Sequence, residues 1–440
     1  MYLEDRGGAW KLPVLLPIVM VVLDGASDRP GPDKTPLEMA KTPHLDSFAG
    51  IGNLGLLYTV GKGVAPESDA GVFSLLGYNP LTTHLSRGIV EALGANVDFD
   101  DGDLALRAGF ATVEGDKLVD RRAGRNLSTE EAVQLGDALN RKLRLKDGTP
   151  FEFKPTVGHR AVLVFRSSTH RFSSDISNFD PAYVRQGNIS IAQSGKGPWE
   201  LPKCEPLDGS RDGVVTAALV NEFGFKARGI LDGHPVNQER RKQGHLPANF
   251  VLMRDAGTSK PQVQGFNEKW GLSSVMVADL PAELGIGKLL GMVVERLAPG
   301  TGLEDYRKRV ELVLRLSKEY DFVYVHLKGP DEPGHDGLRD EKARRISDID
   351  EGFFSVLAKE GLKGRVLCVT CDHSTPWKDK GHSDDPVPVL VANSTAEAGD
   401  SRRFAEIDAA KGSLGSLGQG RLLMPRLLEI AKKNPTRNNP

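Results

Sequence analysis

The sequence predicts an α/β protein, an open and mostly parallel sheet flanked by helices with an α+β domain inserted into it. Three observations predict it. Continuous apolar runs closing on Asp or Gly recur along the chain: PIVMVVLDG, ANFVLMRDAG, DFVYVHLKGPD and RVLCVTCDH. A strand buried on both faces of a parallel sheet has this pattern. Helix-period stretches alternate with them, namely PHLDSFAGIG, GIGKLLGMVVERLA, LEDYRKRVELVLRLSKEY and EKARRISDIDEGFFSVLAKEG. Between about 98 and 210 the pattern changes to period-two alternation, as in LALRAGFATVEGDKLVDRRAG and TPFEFKPTVGHRAVLVFRSSTHRFSSDI, the pattern of hairpin strands.

Taken in order, WKLPVLLPIVMVVLDG opens the chain; it is too short to cross a bilayer and is broken by Pro13 and Pro17. It lacks a basic leader and a small-residue cleavage site, so the expected location is cytoplasmic. PESDAGVFSLLGYNP places Ser68 ahead of an apolar helical stretch. The insertion, residues 98–210, returns through the Gly- and Pro-rich SGKGPWELPKCEPLDGSRDG. The core domain is then discontinuous, residues 1–97 and 211–440, and the tail KKNPTRNNP is expected to fray. At 440 residues the chain exceeds what one core usually fills.

Composition narrows the partners. With 57 basic against 59 acidic residues and a net charge of −2, nothing draws the chain to nucleic acid or to an anionic membrane, so a small molecule is the expected ligand. Cys204, Cys368 and Cys371 are too few for a disulfide scaffold, and the CxxC of the last two lies within one strand without a second pair, so packing is their expected role. GIGKLLG is GxGxxxG rather than a dinucleotide fingerprint, and GKG at 61–63 is no phosphate loop.

Six potential ligands follow the apolar strands: Asp24, then Asp331 and His335, then Asp372, His373 and His382. In an open sheet such loops gather at the carboxyl edge, where ligands bind. Carboxylates crowded there repel one another unless cations neutralise them. Three carboxylates with three imidazoles suit Mn²⁺, Zn²⁺, Co²⁺ or Mg²⁺ better than Ca²⁺, and two ions about 3.5–4 Å apart match the ligand count. Beside them the Ser68 hydroxyl could ionise and attack phosphorus.

VVLDGASDRP, TPLEMAKTPHLD, PESDAGVFSLLGYNP, SRGIVEALGA, VDRRAGR, GHRAVLVF, HPVNQERR, DEPGHDG and CDHSTP with GHSDDPVPVL together resemble the archaeal-type cofactor-independent phosphoglycerate mutases of the alkaline phosphatase superfamily. The order is the family's and nearly the whole chain is spanned. The resemblance implies an alkaline-phosphatase-like core and an isomerase of glycolysis and gluconeogenesis that interconverts 3-phosphoglycerate and 2-phosphoglycerate through phosphoserine at Ser68. It implies that Asp331, His335 and His382 hold one metal and Asp24, Ser68, Asp372 and His373 the other. Mn²⁺ is the first expectation, with Mg²⁺, Co²⁺ or Zn²⁺ as substitutes.

A double transfer requires the glycerate to be retained, and arginine forks grip carboxylate and phosphate bidentately. The resemblance assigns this to Asp120, Arg121, Arg125, His159 and Arg160; Arg254, after another apolar run, joins them. Two places depart from the family pattern. Where the family often has Gly-Ser-Asp-Thr-Ala-His, this chain has Glu67, Ser68, Asp69, Ala70, Gly71 and Val72. Leu284 stands where many members have Lys, so that Lys288 or Lys328 would have to replace that cation. A phosphatase or phosphonate hydrolase on the same core, with water as acceptor, and a non-catalytic metal-binding relative are the other readings.

Overall fold

The computed structural model describes residues 15–83, 85–167, 169–186, 189–192, 199–393 and 403–432. The expectations for the run before Leu15, the tail after Lys432 and part of the return linker lie outside the described residues. The chain divides into two compact units, residues 1–79, 266–278 and 292–440, and residues 80–265 with 279–291.

The first unit is built on an eight-stranded sheet in the order Val293–Arg296, Ser274–Ala278, Phe322–Leu327, Ile18–Leu23, Val366–Thr370, Val387–Asn393, Asn53–Tyr58 and Gly415–Gln419. Of these strands, only Val387–Asn393 runs against the others. The strand Ile18–Leu23 is central and fully buried, so its sequence has no polar alternation. It pairs in parallel with Phe322–Leu327 on one side and Val366–Thr370 on the other, with Leu23 opposite Leu327 and Val22 opposite Thr370. That register makes three strands end level, which sets the chemistry of their exits. Helices follow the predicted periodicity over Pro43–Ile51 and Leu303–Leu316. EKARRISDIDEGFFSVLAKEG forms Arg339–Ile349, a π turn over Asp350–Phe354, and Ser355–Glu360.

The second unit centres on the long strand Leu104–Glu114, paired antiparallel with Arg160–Phe165 and Phe250–Gly257 and, at its end, with Lys117–Asp120. Phe151–Pro155 extends one side and Trp199–Glu200 the other. Helices Arg211–Leu231 and Thr129–Lys142 belong to this unit, the second opened by a capping box of Ser128 and Glu131. Phe223, fully buried, meets Phe151, Phe153 and Phe165 at ring-centroid distances of 5.1, 6.0 and 5.7 Å. Truncating such a ring typically costs about 3–5 kcal/mol.

Two expectations are corrected here. ANFVLMRDAG is not a parallel strand of the main sheet; it is Phe250–Gly257, antiparallel to Leu104–Glu114 in the second unit. An antiparallel strand buried on both faces, as Phe250–Met253 is, reads as continuously apolar as a parallel one, so the run alone could not separate them. GIGKLLGMVVERLA is helical only to Leu289, within Pro281–Leu289, and then forms the strand Val293–Arg296, whose two β-branched valines pair beside Ser274–Ala278. In the second unit helix Arg87–Gly94 packs on Leu104–Glu114 and on Pro281–Leu289, and Phe250–Gly257 pairs into its sheet.

Candidate active site

The three level strands deliver Asp24, His326 with Lys328, and Asp372 with His373 to one edge of the first unit's sheet. Helix Asp331–Asp336 follows its strand directly and presents Asp331 and His335 one turn apart. Gly25 adopts φ +54°, and a Cβ there would lie 2.5 Å from Asp331 Oδ1, so only glycine lets these loops close together. Its N–H donates to Asp372 Oδ1 at 3.1 Å.

All seven residues expected to hold metal gather in this unit. His373 Nε2 lies 3.3 Å from Asp372 Oδ2, 3.6 Å from Asp24 Oδ1 and 3.1 Å from Ser68 Oγ. His335 Nε2 lies 3.4 Å from Asp331 Oδ2 and 3.2 Å from His382 Nε2, while His382 Nε2 is 3.6 Å from Asp331 Oδ1. Among the described residues, two groups have ligand atoms mutually close enough to share one ion: Asp331 with His373 and His382, and Asp24 with His326 and Asp372. His373 sits between the groups, its ring stacked 3.8 Å from that of His382.

His326 was not anticipated from sequence. It lies inside an apolar strand rather than beyond its end, and only its i, i+2 partner Tyr324, whose hydroxyl is 2.8 Å from Nδ1, marks that face as polar. Its Nε2 is 3.6 Å from Asp24 Oδ1 and 3.8 Å from Asp372 Oδ2, charge contacts too long to be hydrogen bonds.

The electrostatics suit a cation. Asp24 Oδ1 and Asp372 Oδ2 are buried and accept no hydrogen bond, a costly arrangement unless a positive charge is near. Burial pushes the Asp372 carboxyl above its usual range, with Asp24 adding to it against His373 and His326. Burial acts likewise on Asp24, but Lys328 overcomes it, with help from His326 and His373, and holds that carboxyl well below the usual range. For Asp331 the burial effect is outweighed by His335, His382 and His373, and its carboxyl is also held well down. Burial works against charging His373, yet Asp372, Asp24 and Asp331 push it up to about 8. Mixed carboxylate and imidazole donors around orphaned carboxylate oxygens fit divalent ions of the Mn²⁺, Mg²⁺, Co²⁺ or Zn²⁺ type.

Ser68 is the first residue of helix Ser68–Leu75, whose N-cap is Glu67 and lacks a side-chain cap bond. The serine is therefore not spent as a cap. Its hydroxyl lies where backbone N–H groups and the helix dipole favour an anion. A Cβ at Gly71 would stand 2.2 Å from the carbonyl oxygen of Asp372, so glycine is what allows this helix to pack against the Asp372 loop. Lys328 Nζ pairs with Asp24 Oδ2 at 3.3 Å, while Lys288 donates to Leu93 O at 2.9 Å and Leu284 is packed in the second unit's interior. Of the two candidate replacement lysines, the structure brings Lys328 to the acids. Cys368 and Cys371 are free and buried, and burial pushes the Cys368 thiol up to about 12, which suits packing.

The second unit gathers the residues expected to grip substrate. Arg121 holds Asp180 through Nε at 3.1 Å and Nη2 at 2.7 Å, and Arg254 Nη1 meets the same carboxylate at 3.0 Å. Both guanidiniums lie over the Tyr183 ring, at 4.8 and 4.1 Å. Burial, then Arg160, Arg122, Arg107 and Arg254, pushes His159 down to about 3, so its ring stays neutral near pH 7. Asp120 Oδ1 accepts from the N–H groups of Arg122 and Gly124 at 2.7 and 3.0 Å, fixing the turn that presents the arginines. Arg125 lines a cavity of ≈ 640 Å³ with Arg121, Arg122, Lys117 and Trp199. Asp180 and Tyr183 carried no sequence signal, because Asp180 lies in a loop and Tyr183 opens a strand, Tyr183–Gln186, too short to show an alternation.

Residues 49–237 match the family model described as 2,3-bisphosphoglycerate-independent phosphoglycerate mutase. A protein of that description from Aeropyrum pernix is 40% identical, over 94% of this chain and 99% of its own length. Another from Methanopyrus kandleri is 39% identical over 90% and 92%. Among solved structures, one from Pyrococcus horikoshii aligns with a TM-score of 0.73 at 28% identity, covering 97% of this chain and all of its own. The cofactor-independent phosphoglycerate mutase of Thermoplasma acidophilum aligns with a TM-score of 0.61 at 32% identity, covering 95% of this chain and 100% of its own.

Proposed function

The chain belongs to the 2,3-bisphosphoglycerate-independent phosphoglycerate mutases, and from that premise we propose how its residues carry out the interconversion of 3-phosphoglycerate and 2-phosphoglycerate. Asp331, His335 and His382 would hold one divalent ion, and Asp24, Ser68, Asp372 and His373 the other, Mn²⁺ foremost. Such ions neutralise phosphoryl oxygens and lower the pKa of a bound hydroxyl. Ser68 Oγ gives up its proton and bonds to phosphorus as the glycerate oxygen departs and takes up a proton; the other glycerate hydroxyl then loses its proton as it attacks the phosphoserine, and Ser68 Oγ departs and is reprotonated. Atoms balance without water, so the net reaction is an isomerisation.

Lys328 contributes the fixed cation that Leu284 cannot, acting beside Asp24. In the second unit, Arg121, Arg125, Arg160 and Arg254 bind the anionic ends of the glycerate, with His159 as a neutral hydrogen-bonding group and Asp120 holding the turn. Arg160, Arg122, Arg107 and Arg254 all bear on His159, a concentration of positive charge suited to an anion.

The observation that carries this reading is the Ser68 hydroxyl at a helix N-terminus, 3.1 Å from His373 Nε2 and beside carboxylate oxygens that accept no hydrogen bond. Incubating the Mn²⁺-supplemented protein with 3-phosphoglycerate in ¹⁸O-water tests it. The expected result is 2-phosphoglycerate free of label in its phosphoryl group. Labelled inorganic phosphate without 2-phosphoglycerate would make the protein a phosphatase instead.

A further inference from the structure

Thr375 is fully buried beside Asp331 and His373, residues assigned above to different ions. Its Oγ1 lies 2.7 Å from Asp331 Oδ1 and 3.0 Å from His373 Nδ1. An ionised carboxylate only accepts, so the hydroxyl proton goes to Asp331. A hydroxyl has one proton, and toward His373 the oxygen can therefore only accept. Nδ1 must carry the ring proton. In the neutral ring Nε2 is then left with its lone pair, directed toward Ser68, Asp372 and Asp24.

The hydroxyl is held firmly in this place. The Thr375 N–H donates to Ser27 O at 3.0 Å, and its carbonyl accepts from the buried Lys342 Nζ at 2.7 Å. Lys342 also donates to Ser27 O at 2.9 Å and pairs with Asp28 Oδ2 at 3.2 Å, so the loops carrying Asp24 and Asp372 share one anchor.

We propose that Thr375 is a positioning residue that couples the two ion sites as assigned under the proposed function, one hydroxyl orienting the Asp331 carboxylate and fixing His373 as the Nδ1–H tautomer so that Nε2 is free to ligate. The inference rests on the two-cation reading of the site. Groups that orient ligands from behind typically account for about 10–100-fold in metal affinity.

Two measurements test it. In ¹⁵N-histidine-labelled wild-type protein at pH 9.5, without metal and with diamagnetic Zn²⁺, the two-bond ¹H–¹⁵N spectrum, assigned with His373→Asn, should show the proton of His373 on Nδ1. A proton on Nε2 overturns the proposal. In calorimetric titration with Mn²⁺, Thr375→Val should weaken at least one of two ions about tenfold or more, while Thr375→Ser stays within about threefold of wild type. Wild type binding fewer than two ions would remove the two-cation reading itself. Wild type and Thr375→Val binding two ions equally well would remove the role of Thr375 alone. Should the valine variant not fold, the wild-type tautomer still decides.

Discussion

Ser68 Oγ lies 3.1 Å from His373 Nε2 although 305 positions separate the two residues. The contact sets a hydroxyl at a helix start beside an imidazole of the acid and histidine cluster. Ser68→Ala is expected to lower mutase turnover by more than about a thousandfold, the scale on which removal of a nucleophile is felt. Mass spectrometry of acid-quenched enzyme should lose the phosphorylated species at the same time. An alanine variant with near wild-type turnover would end the serine mechanism.

Lys328 contacts Asp24 where the divalent ion would also bind, so its charge competes with the ion while assisting the phosphoryl group. Lys328→Met is expected to lower kcat about a hundredfold, as for loss of one donor to developing charge. Mn²⁺ affinity should be unchanged or tighter, because a repelling cation has gone. Weaker Mn²⁺ binding with intact kcat would place Lys328 in the metal shell instead.

Asp180 is fully buried at its side chain and is shared by Arg121 and Arg254. Asp180→Asn leaves two guanidiniums short of their anion. Removing one partner of a buried pair costs about 3–5 kcal/mol, and the partial exposure of Arg121, 26%, argues for the lower end. Urea denaturation should show it, and KM should rise as the two forks lose their alignment; a loss under about 1 kcal/mol would mean that Tyr183, with Asp255 at 3.3 Å from Arg254 Nε, suffices to hold them.

Glu406 is buried and accepts from Asp28 N at 2.8 Å and Thr35 Oγ1 at 2.7 Å. Burial pushes its carboxyl up to about 7 from 4.5, against Thr35, Asp28 and Lys342. The folded pKa is raised, so the folded state binds the proton more tightly than the unfolded one. This stabilisation is complete below about pH 4.5 and is lost as pH rises through about 7. The loss amounts to about 3 kcal/mol, because each tenfold difference in proton affinity between the two states is worth about 1.4 kcal/mol. Glu406→Gln should therefore gain relative stability between pH 5 and pH 8 in denaturant titrations. Parallel pH profiles for the two proteins would refute the assignment.

How much was legible follows from where each residue stands. Asp24, Asp331, Asp372, His373 and His382 lie near the ends of apolar runs that stop abruptly, and such an ending is visible in one dimension. His326 sits inside such a run and Thr375 is one hydroxyl among many, so neither could be singled out. ANFVLMRDAG shows the opposite limit, since its apolar length predicted a buried strand but not which sheet receives it.

Apolar run length and helical period by themselves determined that this chain forms buried strands with acids and histidines at their exits, because local patterning reflects burial directly. Only the tertiary structure decided that Ile18–Leu23 lies between Phe322–Leu327 and Val366–Thr370 with their ends level. That register turns residues hundreds of positions apart into neighbours. The physical reason is that hydrogen-bond partners, tautomers and carboxylate charges are set by distances of about 3–4 Å between side chains from different strands, and no property of one segment carries that information.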